Sequence, residues 1–115
     1  DYIAMDIKSS PEHYAAVAGF PGLQMDRIRE SAAFIQGCGL PYEFRTTVVR
    51  ELHRAEDFLS IGRWLQGAGA YFLQSYQESE GVISPVFSAY SKEELEAFQS
   101  LLLPFIPNTR LRGVD

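Results

Sequence analysis

Asp1-Tyr2-Ile3-Ala4-Met5-Asp6-Ile7-Lys8 alternates at every step. Ile3, Met5 and Ile7 are apolar on one side, and Tyr2, Ala4, Asp6 and Lys8 fall on the other. A period of two marks a strand with two unlike faces. Ser9-Ser10-Pro11 ends it. Two later stretches repeat the pattern. Tyr42-Glu43-Phe44-Arg45-Thr46-Thr47-Val48-Val49 is rich in aromatic and β-branched residues, and sets Glu43, Arg45 and Thr47 against Phe44, Thr46 and Val48. In the third, residues 70–76, Gln74 shares a face with Phe72 and Tyr76. Residues 109–114 are a candidate for a short last strand.

Between these strands the period changes. Residues 11–20 hold at most a short helical turn, broken by Gly19-Phe20-Pro21-Gly22. Met25, Ile28, Ala32 and Ile35 recur at helical spacing within residues 23–36, and Gly37 and Gly39 stop that helix. Residues 55–66 are a second amphipathic helix with Phe58, Ile61 and Leu65 on one stripe, terminated by Gly67 and Gly69. Residues 77–90, with Gly81 and Pro85, read as a long functional loop or a disordered one. Ser91-Lys92-Glu93-Glu94 is a capping box opening a third helix, with Leu95, Phe98 and Leu102 inward and its end at Pro104. Strands alternating with helices imply an α/β fold, with parallel strands joined by right-handed helical crossovers.

With 115 residues the chain is sized for one domain. Ten Lys plus Arg against fifteen Asp plus Glu give −5, which argues against a sequence-independent grip on nucleic acid. No apolar run reaches the roughly eighteen residues of a membrane span. A single cysteine excludes an internal disulfide and any metal site built from several thiolates, and predicts a reducing, cytoplasmic setting. The chain opens in what reads as mid-strand, so the expectation is a longer protein whose N-terminal portion would pair with an otherwise open sheet edge.

The strands carry the chemistry. A parallel strand covered on both faces reads as a continuous apolar run. These three instead have one apolar face and one bearing charged or amide groups. Asp6 and Lys8 fall at the C-terminal end of their strand, where parallel α/β sheets bind ligands. One reading is a concave face holding a polar ligand, with Asp6 accepting from hydroxyls or an amine, and with Lys8 and Arg45 binding a carboxylate or phosphate. The other is a set of internal ion pairs, Asp6 with Lys8 or Glu43 with Arg45, that only fix the sheet. Buried ion pairs are a weak source of stability, which favours the ligand.

Other features are bland. Cys38 between glycines reads as an inert small residue. His13 and His53 lack Cys or His neighbours at metal-ligand spacing. Gly67-Ala68-Gly69 precedes a strand instead of following one, so it is no phosphate loop. Glu78, Glu80, Glu93 and Glu94 read as solvated faces, and Trp64 and the helical Phe residues as core.

The first strand, Glu43-Phe44-Arg45-Thr46-Thr47 at its distance from Asp6-Ile7-Lys8, and Tyr71-Phe72-Leu73-Gln74 together resemble the C-terminal half of radical S-adenosylmethionine activating enzymes. The group most resembled is the activating proteins of anaerobic ribonucleoside-triphosphate reductase, cousins of the pyruvate formate-lyase activating enzyme. The resemblance covers most of residues 1–76 and weakens afterwards. It implies the C-terminal part of a (β/α)6 partial TIM-like barrel, with helices on the outer face. It also implies S-adenosylmethionine as cofactor, and a [4Fe-4S] cluster held by three cysteines in an N-terminal half that these residues do not contain. In the family, an Asp and a Lys of the fourth strand contact the cofactor's ribose and methionine part, roles that fall on Asp6 and Lys8. The fifth strand's Arg and the position two later fall on Arg45 and Thr47. Gln74 or Gln77 stands near the adenine. The implied activity is reductive cleavage of the cofactor to a 5′-deoxyadenosyl radical, which takes hydrogen from a glycine of a partner glycyl radical enzyme, with an electron donor as second partner. The fragment alone would be inactive, would bind the cofactor poorly, and would self-associate through its sheet edges or be marginally stable. The rival expectations are a non-catalytic module binding a peptide or small molecule, and another α/β-barrel enzyme for a sugar phosphate.

Overall fold

Where the sequence alternates, the chain is extended, and where apolar residues recur at three and four, it is helical. A computed structural model of the chain describes residues 1–20, 22–77 and 87–114. Its elements are β1 (Ile3–Asp6), α1 (Tyr14–Ala18), α2 (Met25–Gly37), β2 (Tyr42–Val48), α3 (Ala55–Trp64), β3 (Tyr71–Ser75), α4 (Lys92–Leu102) and β4 (Thr109–Arg112). The four strands form one sheet in the order β1-β2-β3-β4, and every neighbouring pair is parallel. Most of the expected loop, with Glu78 and Glu80, lies outside the described residues.

The sheet has two unlike faces, as the alternation requires. Phe44 and Val48 of β2 and Tyr71 and Leu73 of β3 join one core with Ala32, Phe58, Ile61, Leu65, Leu95, Phe98 and Leu102 from the helices. Burying an aromatic or branched side chain contributes about 1.5–3 kcal/mol, so the stripe Phe58, Ile61 and Leu65 is what holds α3 to the sheet. The opposite face carries Ala4, Asp6, Thr47 and Arg110, all exposed, beside half-buried Arg45, Phe72, Gln74 and Arg112. Thr46 is the polar residue on the core side. Its hydroxyl donates to the Ile7 carbonyl at 2.7 Å and takes a short hydrogen bond from the Tyr71 hydroxyl. Burial pushes that phenol far above its ordinary range.

Helix ends follow their local chemistry. The Ser91 hydroxyl accepts from the Glu94 N–H at 3.1 Å, and Glu94 reaches back to the Ser91 N–H at 3.0 Å. α3 is followed by a turn in which Gly67 has φ +83°, a conformation costly for any residue with a Cβ. Phe34 corrects the expectation that helical phenylalanines are core: it is 65% exposed on α2, off the stripe of Met25, Ile28, Ala32 and Ile35.

Gly62, in the middle of α3, is there for space. A Cβ at this position would stand 2.6 Å from the Phe105 ring. Replacing a helical glycine by alanine normally stabilises by about 1 kcal/mol. Gly62→Ala should instead destabilise by about 1–3 kcal/mol, because the ring must move. Urea unfolding measures this, and a stabilised variant would show that Phe105 yields freely.

Candidate functional site

The ends of β1 and β2 open into a cleft of about 180 Å3 lined by Asp6, Ile7, Lys8, Val17, Thr47, Leu52 and His53. Asp6 reaches it from the polar face of β1, and Ile7 and Lys8 line it just past the strand's end. Thr47 joins them from β2, two positions beyond Arg45, the register partner of Asp6. Among the described residues Lys8 has no ion-pair partner. Arg45 and Gln74 do not line the cleft. Arg45 borders it through Asp6, and Gln74 sits on the same face as the register partner of Thr47. Gln77 donates to the Gly113 carbonyl at 3.0 Å, past the end of β4.

The charged face contains two ion pairs of different character. Arg45 Nε donates to Asp6 Oδ1 at 2.5 Å, with side-chain exposures of 38% and 53%. Pairs this open contribute about 0–1 kcal/mol. The contact leaves Asp6 Oδ2 and both terminal nitrogens of Arg45 without protein partners among the described residues. Glu43, 7% exposed, has both oxygens engaged. Tyr2 donates to Oε1 at 2.7 Å, and Arg112 donates to Oε2 at 2.8 Å, reaching across β3 with its guanidinium 3.8 Å from the Phe72 ring centroid. These hydrogen bonds, that of Arg112 foremost, hold the Glu43 carboxyl below the usual range although burial pushes it up. The structure thus divides the two sequence readings by residue. It also corrects both expected pairings: Asp6 pairs with Arg45, not Lys8, and Glu43 with Arg112, not Arg45. Glu43 is a structural ion, while Asp6 and Arg45 keep donor and acceptor capacity for something else.

The turn that brings Leu52 and His53 to the cleft is clasped from outside. Arg50 pairs with Glu94 at 2.5 and 3.0 Å and lies over the Tyr90 ring, whose hydroxyl donates to the His53 carbonyl at 2.6 Å. The guanidinium holds the Glu94 carboxyl down at about 2, so this residue is more than a solvated charge. Glu51 accepts from the Ser88 N–H and hydroxyl at 2.7 and 2.6 Å.

A second cluster had no signature in the sequence. Asp57, 2% exposed, accepts from Ser10 Oγ at 2.7 Å, His13 Nδ1 at 2.6 Å and the Arg54 N–H at 2.9 Å. Its members are those of a hydrolytic triad, but the wiring differs. The serine is buried and donates to the carboxylate, so no imidazole activates it. The cluster ties the segment after β1 to the start of α3. Burial alone would raise the Asp57 carboxyl, but the hydrogen bonds from Ser10, His13 and Arg54 outweigh it and leave the group below its usual 3.8. The Asp57 hydrogen bond and charge raise His13 above 6.5. The stabilisation from His13 is therefore complete below about pH 6.5 and is lost as pH rises through its folded value, while that from Asp57 is present above about pH 3.8 and is lost in stronger acid. Wild type should lose more thermal stability than His13→Ala between pH 6 and pH 8. Parallel melting profiles would remove His13 from the network.

No protein-family model matches the sequence, and no curated protein does. A solved structure does match in shape. It is the crystal structure of a domain of pyruvate-formate lyase-activating enzyme from Bacteroides vulgatus ATCC 8482, with a TM-score of 0.68 and 16% identity over 97% of this chain and 67% of that one. The two share a fold.

Donor types on this chain suit one kind of group and not another. Acids, bases and a hydroxyl at the strand ends suit an organic zwitterion. An iron–sulfur cluster does not fit these residues. The chain has one cysteine, whose Sγ donates to the Ile35 carbonyl at 3.2 Å, and among the described residues no three His, Cys, Asp or Glu side chains converge as metal ligands. No described helix is long and apolar enough to cross a membrane.

Proposed function

We propose that this chain is part of a radical S-adenosylmethionine activating enzyme and that its polar sheet face forms one wall of the cofactor site. The observation that carries the reading is the convergence of Asp6, Lys8 and Thr47 on one cleft at the C-terminal ends of parallel strands, with unsatisfied Asp6 and Arg45 atoms beside it. S-adenosylmethionine has a ribose diol and an amino-acid zwitterion. Asp6 accepts from the diol or the amine, Lys8 and Arg45 take the carboxylate, and Thr47 adds a hydroxyl. Gln74 extends the wall toward β4, where the adenine would lie. The likeness of fold to the activating-enzyme domain supports this assignment. The remainder of the partial barrel, with the cluster ligands, belongs to polypeptide outside these residues, and no step of the radical chemistry is assigned to them. The whole enzyme would act on a glycyl radical enzyme, anaerobic ribonucleoside-triphosphate reductase or a relative, and draw on an electron donor.

Two measurements test the reading. The gene upstream of Asp1 should encode three closely spaced cysteines after a first strand, and their absence would leave a binding module as the better account. In the whole protein, Asp6→Ala should weaken S-adenosylmethionine binding by about 1–3 kcal/mol, the range for a charge-assisted hydrogen bond. Unchanged affinity by calorimetry would take Asp6 out of the site.

A further inference from the structure

We infer that His53 is a positioning residue, whose imidazole splices the end of β1 to the end of β2 and so fixes the backbone at Lys8, where that residue lines the cleft. Regular pairing of the two strands ends at Asp6 and Arg45, with one more bond from the Ile7 N–H to the Arg45 carbonyl at 2.7 Å. Beyond it, side chains join the two strand ends: the Thr46 hydroxyl bonds the Ile7 carbonyl, and His53 takes the next step. His53 Nδ1 accepts from the Val49 N–H at 3.0 Å, so that nitrogen carries no proton, and Nε2 donates to the Lys8 carbonyl at 2.8 Å. The ring is 1% exposed and tilted over Phe58 with centroids 6.0 Å apart. Both nitrogens are committed to backbone, which leaves neither for a ligand. His53 lines the cleft with Lys8, Asp6 and Thr47, yet it can act on a ligand only through the residue it holds.

The ring makes two bonds that a pair of substitutions can separate. His53→Asn places its amide oxygen near the Nδ1 position and keeps an acceptor for Val49, but falls short of the Lys8 carbonyl. His53→Gln carries its NH2 out to the Nε2 position and keeps that donor. Both lose packing on Phe58, so stability alone does not distinguish them.

The experiment is nuclear magnetic resonance on the 15N-labelled chain, with S-adenosylmethionine as the probe, a choice that rests on the function proposed above. In His53→Asn the amides of Lys8 and Ser9 should gain fast motion, and affinity read at the Asp6, Lys8 and Thr47 amides should fall about tenfold. In His53→Gln both should stay close to wild type. Equal order at Lys8 in the two variants, or equal affinity, overturns the inference. Should wild type show no response to the probe, as the poor binding expected of these residues alone allows, His53 stands or falls on the relaxation data, and the cofactor reading on the Asp6→Ala affinity in the whole protein. Should neither variant fold, the histidine 15N spectrum of wild type decides: Nε2–H is expected, and an Nδ1–H ring overturns the splice.

Discussion

Arg112→Ala should destabilise the fold by about 2–3 kcal/mol, far beyond what an ordinary surface arginine contributes. The reason is what the substitution leaves behind. Glu43 is 7% exposed and pairs with a guanidinium that itself lies over the Phe72 ring. Removing the cation strands a carboxylate with only the Tyr2 hydroxyl as hydrogen-bond partner among the described residues. Breaking a fully buried pair costs about 3–5 kcal/mol, and the 40% exposure of Arg112 lowers the figure here because water can reach part of the gap. The control is Glu43→Gln combined with Arg112→Ala, which removes the stranded charge and should recover much of the loss. Denaturant unfolding of the two single variants and the double variant measures the coupling. Additive effects would mean that Arg112 contributes packing over Phe72 and no electrostatic partner.

Phe58→Ala should cost about 3–5 kcal/mol, the range for deleting a fully buried aromatic. Its ring is wholly buried, stacks on Phe98 of α4 at 4.7 Å, and backs the His53 imidazole. Against a total stability of about 5–15 kcal/mol, such a loss takes the chain close to its melting point at ordinary temperature. Phe58→Leu should cost markedly less, since most of the volume remains. Circular dichroism melts check both, and an alanine variant within about 1 kcal/mol of wild type would mean that α3 and α4 collapse onto the space.

Local interactions were legible in the sequence, and crossings between distant segments were not. The Ser91–Glu94 box has its partners three residues apart, and the stripes of α2, α3 and α4 repeat within a single element, so periodicity finds them. Alternation gave the strand faces, and with them the common side of Asp6, Arg45 and Gln74. The exposure of Phe34 was also readable, since it falls between the stripe positions Ala32 and Ile35 and matches neither. What periodicity does not supply is lateral reach. Arg112 passes over a whole strand to Glu43, and Asp57 collects donors from Ser10 and His13, 47 and 44 residues earlier. His53 looked idle because its partners are backbone atoms, which no residue pattern records.

The sheet order β1-β2-β3-β4 has a consequence for synthesis on the ribosome. Each strand can dock on the one made just before it, so the described sheet grows in step with emergence and needs no rethreading. An ion pair between β2 and β4 breaks that vectorial rule. Glu43 enters the growing sheet with β2, but its guanidinium partner arrives only with β4, after two more crossovers have been made. Until then the carboxylate must stay hydrated, which keeps the polar face wet and the partial sheet loose. Arrival of Arg112 completes the neutralisation and acts as a late check that the fourth strand has paired in register.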